Sequence, residues 1–90
     1  MSRPRELPIP AAIARDKGAR DVLRVWTGGD DNHTIVLRSD EWEDPAVWGM
    51  LLADLARHVA ASYAEAGADP DAVLDRVREG FDAEWESPTK

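Results

Sequence analysis

Asp54 and His58 stand four residues apart, the spacing at which two helical side chains lie side by side and a carboxylate can orient an imidazole or share a metal ion with it. It is the only pair so placed on a helical pattern. A zinc site takes three or four protein ligands. With no Cys and one other His, at position 33, the remaining ligands would be carboxylates or come from a second subunit. A single Asp-His pair on a helix flank is most often a surface contact, and His33 lies beside a turn, where no chemical role is expected of it.

The run Gly28-Gly29-Asp30-Asp31-Asn32 invites a phosphate-loop or calcium-loop reading, and neither holds. Two carboxylates follow the glycine pair and would repel phosphate, and no Lys-Ser/Thr follows to hold phosphate and magnesium. A calcium loop would need acids at alternating positions and a Glu at the twelfth. Turn chemistry is the simpler account, because Gly, Asp and Asn tolerate positive φ. Ser2, Ser39, Ser62 and Ser87 lack elbow glycines, and neither His is tied to them by a recognisable motif. Four Trp in 90 residues is high usage, and such rings serve as core fillers or as interface anchors. Trp48 and Trp85 fall on apolar helical stripes and read as core; Trp26 and Trp42 are the pair that could serve an interface or a ligand groove.

These side chains depend on a small scaffold. Ninety residues at 10.0 kDa with 43% apolar content fit one domain, 1–90, whose core is short because so small a chain buries a reduced share of its surface. The absence of Cys excludes a disulfide scaffold and fits a reducing compartment. The longest uncharged stretch, Pro45 to Ala53, has nine residues against about 20 for a membrane span. Arg3, Arg5 and Glu6 interrupt the start where a signal peptide would be apolar. A cytoplasmic location is expected, with no membrane partner.

Charge is uneven along the chain. Residues 1–24 hold six basic and three acidic groups, a net +3, and residues 25–90 hold five and fifteen, a net −10. A body this acidic repels phosphate backbones and lacks the basic stripe that displaces counterions, so no nucleic acid partner is expected. The basic start can lie on the protein's own acidic surface or on a neighbour's.

Pro4, Pro8 and Pro10 make residues 1–20 an extended arm, with room for a short turn at Ala11–Arg15. Residues 21–39 read as a β-hairpin, two β-branched and aromatic runs flanking the glycine turn. Alternation puts Leu23, Val25, Ile35 and Leu37 on one face and Val22, Arg24, Trp26, Thr34, Val36 and Arg38 on the other. Two Asp-Pro starts, Asp44-Pro45 and Asp69-Pro70, and a stop at Gly67 predict helices over 45–66 and 69–86. The long helix carries Trp48, Leu51, Leu52, Leu55, Val59 and Tyr63 on one stripe. Beside it runs a second stripe of small residues, Ala46, Gly49, Ala53, Ala56, Ala60 and Ala64. The combined arc, roughly 220° wide, calls for burial on two sides, by the hairpin and by either the second helix or a twin subunit. The fold class is α+β, a small antiparallel hairpin packed by two helices with an extended N-terminal arm. Leu23, Val25, Ile35, Leu37, Leu51, Leu52, Leu55, Val59, Val77 and Phe81 are the expected core.

The segments LRVW (Leu23 to Trp26), DPAVWGMLLADLARHVA (Asp44 to Ala60) and FDAEWESPT (Phe81 to Thr89) resemble a family of small alphaproteobacterial proteins classed as a domain of unknown function. The resemblance implies a bacterial, cytoplasmic origin and brings no activity or catalytic residue with it. The sequence favours a small acidic, non-enzymatic module that self-associates as a homodimer or binds another protein, needs no cofactor, and uses Val22, Trp26, Val36 and Trp42 as interface residues. The alternative is a small-molecule or metal binder, with catalysis open to it, built on Asp54 and His58.

Overall fold

The computed structural model describes residues 3–88. In chain order the elements are α1 (Ala11–Ala14), β1 (Leu23–Thr27), β2 (His33–Leu37), α2 (Ala46–Glu65) and α3 (Pro70–Glu86). The α+β class read from the sequence is the one observed, an antiparallel two-stranded hairpin together with helices. The chain divides into two compact units, Met1–Glu41 and Trp42–Lys90.

In the first unit the strands pair Leu23 with Leu37, Val25 with Ile35 and Trp26 with Thr34, so the side-chain alternation falls as predicted. The turn closes through Asp31 N donating to Gly28 O at 2.9 Å and Gly28 N to Asn32 O at 2.8 Å. The left-handed residue is Asp31, φ 64°, and neither turn glycine has positive φ. Gly28 matters through space instead: a Cβ there would lie 2.9 Å from Asp30 Oδ1. That carboxylate accepts from Asn32 N at 3.1 Å and from Asn32 Nδ2, through its other oxygen, at 2.9 Å. The Asn32 bonds hold the Asp30 carboxyl below its ordinary pKa.

The second unit is a helix pair. Asp44 Oδ1 accepts from Ala46 N at 3.0 Å and Asp69 Oδ1 from Asp71 N at 3.2 Å. In both Asp-Pro sequences the carboxylate takes the donor two residues on while proline has none to satisfy; Asp69 is the N-cap of α3, whereas Asp44 lies one residue before Pro45, the N-cap of α2. α2 stops at Gly67, φ 100°, where Gly67 N bonds Ala64 O and Ala68 N bonds Tyr63 O. This is the paired C-terminal closure that a glycine permits. α2 and α3 pack on each other, and the small-residue stripe of α2 is enclosed toward its C-terminal end, where Ala60 is 4% exposed and Ala56 and Ala64 are half-buried. Ala46, Gly49 and Ala53 stay exposed, and a Cβ on Gly49 would meet nothing within 4 Å, so the close contact expected of this stripe is made over part of its length.

Burial departs from the expected core. Ala60 is the one buried residue among those described. Of the ten core candidates, Leu23, Leu51, Val59 and Val77 are half-buried, and Val25, Ile35, Leu37, Leu52, Leu55 and Phe81 are exposed. The physical reason is geometric. Periodicity identifies the apolar side of each element, and in this chain those sides exceed the one seam where Ala60 is enclosed.

Candidate functional site

The hairpin presents two unlike faces. On one, Leu23 pairs with Leu37 and Val25 with Ile35, four aliphatic side chains in two cross-strand rows. Ile35 is 59% exposed, and Val25 and Leu37 are also open. The other face carries ions that are already matched. Asp21 accepts from Arg24 Nε at 2.7 Å and Arg38 Nη2 at 3.2 Å, and Arg24 Nη1 reaches Glu6 Oε2 at 3.4 Å. Hydrogen bonds from Arg24 and then Arg38 hold the Asp21 carboxyl below its usual pKa. Val22 and Trp26 on this face and Leu23 on the aliphatic face are half-buried, and an open groove of about 840 Å³ between the arm and the hairpin is lined by residues of both faces, Leu23 and Val25 as well as Arg24 and Trp26. Neither face is sealed, whereas alternation alone assigned the aliphatic one to the core. At the base of the unit, Arg20 donates through Nε to Glu41 Oε2 at 3.0 Å, and its Nη2 pairs with Oε1. The Glu41 side chain is 7% exposed, and the Arg20 bond lowers its pKa.

The helix pair borders an open, mainly apolar groove of about 690 Å³. It is lined by the small residues Gly49, Ala53 and Ala56 and by the larger Trp48, Leu52, Phe81 and Trp85, with Arg57, Asp75, Arg78 and Asp82 among them. Phe81 and Trp85 stack with ring centroids 5.5 Å apart and planes at 21°, yet Trp85 is 72% exposed. At the edge, Arg78 Nε is held by Asp82 at 3.1 Å.

Of the proposed interface residues, Val22, Trp26 and Val36 share one hairpin face, with Val36 57% exposed and opposite Arg24. Trp42 lies in the second unit and meets Trp48 edge to face. Asp54 and His58 are neighbours as their spacing predicts: His58 Nδ1 lies 2.8 Å from the Asp54 carbonyl oxygen and 3.7 Å from Oδ1. The ring nitrogen is satisfied by its own helix, both side chains are exposed, and no group of three His, Asp or Glu suited to a metal forms among the described residues. Nor is any helix among them long and apolar enough to cross a membrane.

A family model described as a domain of unknown function, DUF5076, matches residues 6–89. The chain belongs to this family. The likeness carried by Leu23–Trp26, Asp44–Ala60 and Phe81–Thr89 is confirmed at that level. Among solved structures, one from the photosynthetic bacterium Rhodopseudomonas palustrus, provisionally named a pyruvate dehydrogenase, is 37% identical. The match covers 100% of this chain and 92% of that one, with a TM-score of 0.75. No curated protein matches.

For this member of the DUF5076 family, the residues that sequence reasoning misplaced are Val25, Ile35, Leu37, Leu52, Leu55 and Phe81, assigned to the core and found open, and Trp85, taken as core filler. A signal for the hairpin residues was present: two strands without a third offer two edges and a bare face. For Trp85, the signal was its place on the last turn of α3, where few neighbours can enclose a ring.

Proposed function

We propose that this protein is a self-associating, non-enzymatic module whose working form is a homodimer in the bacterial cytoplasm. The observation that carries the reading is the open aliphatic face of the hairpin, Val25, Ile35 and Leu37, together with two unpaired strand edges in a two-stranded sheet. Contiguous exposed apolar surface of this kind marks an interaction site, and a small chain gains through association the burial that its own length cannot supply. Twofold dimers are the commonest closed assembly. Val36 extends the apolar surface to the second face, and Val22, Trp26 and Trp42 are the further candidate contacts. Another protein could occupy the same surface as a second partner.

A ligand or metal site at Asp54 and His58 has weaker support, since Nδ1 is already bonded to the helix backbone. The test is the mass of the native protein with a His58→Ala variant beside it. Self-association predicts twice the chain mass for both. A bound metal or small molecule lost with His58, the assembly unchanged, would favour the binder.

A further inference from the structure

We infer that, in the homodimer proposed above and resting on that reading, the outer edge of β2 pairs antiparallel with β2 of a second copy about a twofold axis at Ile35, joining two hairpins into one sheet. Arg38 N donates to Val22 O at 2.9 Å and Gly28 N to Asn32 O at 2.8 Å, so hydrogen-bonded pairs stand at both ends of the β1–β2 ladder. Such pairs alternate along an antiparallel ladder, which makes Arg24–Val36 and Trp26–Thr34 the bonded pairs between them. The N–H and C=O of His33, Ile35 and Leu37 therefore point away from β1. No backbone group outside the hairpin bonds to them among the described residues.

The chain has no strand of its own to set there. The elements of Trp42–Lys90 are both helices, and a helix satisfies its backbone groups internally. The arm carries Pro4, Pro8 and Pro10, which cannot donate to a ladder. It also borders β1 rather than β2: Glu6 reaches Arg24, and the arm groove is lined by Leu23 to Trp26 but by no residue of His33–Leu37. Edge strands that stay single are ordinarily guarded by charge, proline or a bulge. His33–Leu37 has no Lys, Arg, Asp, Glu, Pro or Gly, and its register with β1 is unbroken.

A second β2 complements this edge. Centred on Ile35, antiparallel pairing sets Ile35 opposite the partner's Ile35 and His33 opposite the partner's Leu37, and every outward N–H and C=O of both strands is used. Centring on Thr34 or Val36 would leave Leu37 or His33 without a strand partner. Charge favours the same alignment. The nearest charges flanking the strand are Asp31 before it and Arg38 after it, so antiparallel pairing sets the basic end of each copy beside the acidic end of the other, whereas parallel pairing would set like on like. The joined sheet also passes the size at which sheets become independently stable, which a lone hairpin does not reach.

Amide exchange in the wild-type protein reads the edge, with Val25 and Thr27, whose N–H groups point outward on the other edge of the hairpin, as the reference. Ile35 and Leu37 are expected to exchange more slowly than these and to lose that protection on dilution to a mass of 10.0 kDa. Ile35→Cys, in a chain with no other Cys, should oxidise to a product of twice 10.0 kDa, because opposed residues lie about 5.5 Å apart, within disulfide reach. Val25→Cys, one strand further from the axis, should not. A dimeric mass with Ile35 exchanging as fast as Val25 overturns the pairing and leaves self-association standing. Val25→Cys linking as readily as Ile35→Cys places hairpin faces together and does the same. Protection of Ile35 without an Ile35→Cys link moves the axis and overturns this register. A mass of 10.0 kDa at every concentration overturns both the pairing and the dimer.

Discussion

The indole of Trp42 meets that of Trp48 edge to face, ring centroids 4.9 Å apart and planes at 72°, so the segment leading into α2 is fastened to its first turn. Edge-to-face pairs contribute about 0.5–1.5 kcal/mol beyond the area they bury. Trp42→Ala is expected to lower the stability of the helix pair by at least that amount, read as a fall in the urea midpoint at unchanged slope. A midpoint that does not move would show the pair to be energetically idle.

The helix seam predicts a second effect. Ala60, at 4% exposure, leaves no room for a larger side chain, and inserting extra methylenes into a packed site costs about 1–3 kcal/mol. Ala60→Leu should destabilise the α2–α3 pair by that amount. Ala61→Leu, on the exposed side of the same helix, should stay near the surface scale of about ±0.5 kcal/mol.

The hairpin turn separates two kinds of constraint. Asp31 sits at φ 64°, where a β-branched side chain is penalised by roughly 1–2 kcal/mol, so Asp31→Val should weaken the hairpin and Asp31→Gly should not. Gly28→Ala should also weaken it, because the new Cβ displaces Asp30 from Asn32. Gly29→Ala, with open space around it, should be milder than Gly28→Ala and Asp31→Val. Amide exchange of the β1 and β2 residues measures the order.

Acid should loosen the first unit. Arg20 holds the Glu41 pKa below its ordinary value, and Arg24 and Arg38 do the same for Asp21. For carboxyls depressed in the folded state, the stabilisation is fully present above the unfolded pKa, about 4. It is lost as pH falls through the folded values. Chemical shifts of the hairpin amides, followed from neutral pH downward, should report this loss, and Glu41→Gln should remove part of the pH dependence. An identical acid transition in wild type and variant would contradict the assignment.

Local structure was legible because its causes are local. Asp44-Pro45 and Asp69-Pro70 announced their caps, Gly67 its helix stop, and alternation from Leu23 to Leu37 the strand faces. The positive φ at Asp31 was harder to place, since five adjacent residues all favour turns. Burial was not legible. Ile35 and Phe81 are apolar at the correct periodicity for a core, but periodicity says which side of an element avoids water, not whether the same chain provides the cover. The Asp54–His58 neighbourhood followed from spacing alone; that His58 Nδ1 turns to the Asp54 carbonyl depends on the rotamer, which spacing does not set.

Sedimentation equilibrium of the native protein at micromolar concentration tests self-association most directly. The account predicts a mass of twice 10.0 kDa, shifting toward the single chain when Ile35→Asp places a charge on the aliphatic hairpin face. A wild-type mass that stays at 10.0 kDa across the concentration range would contradict it.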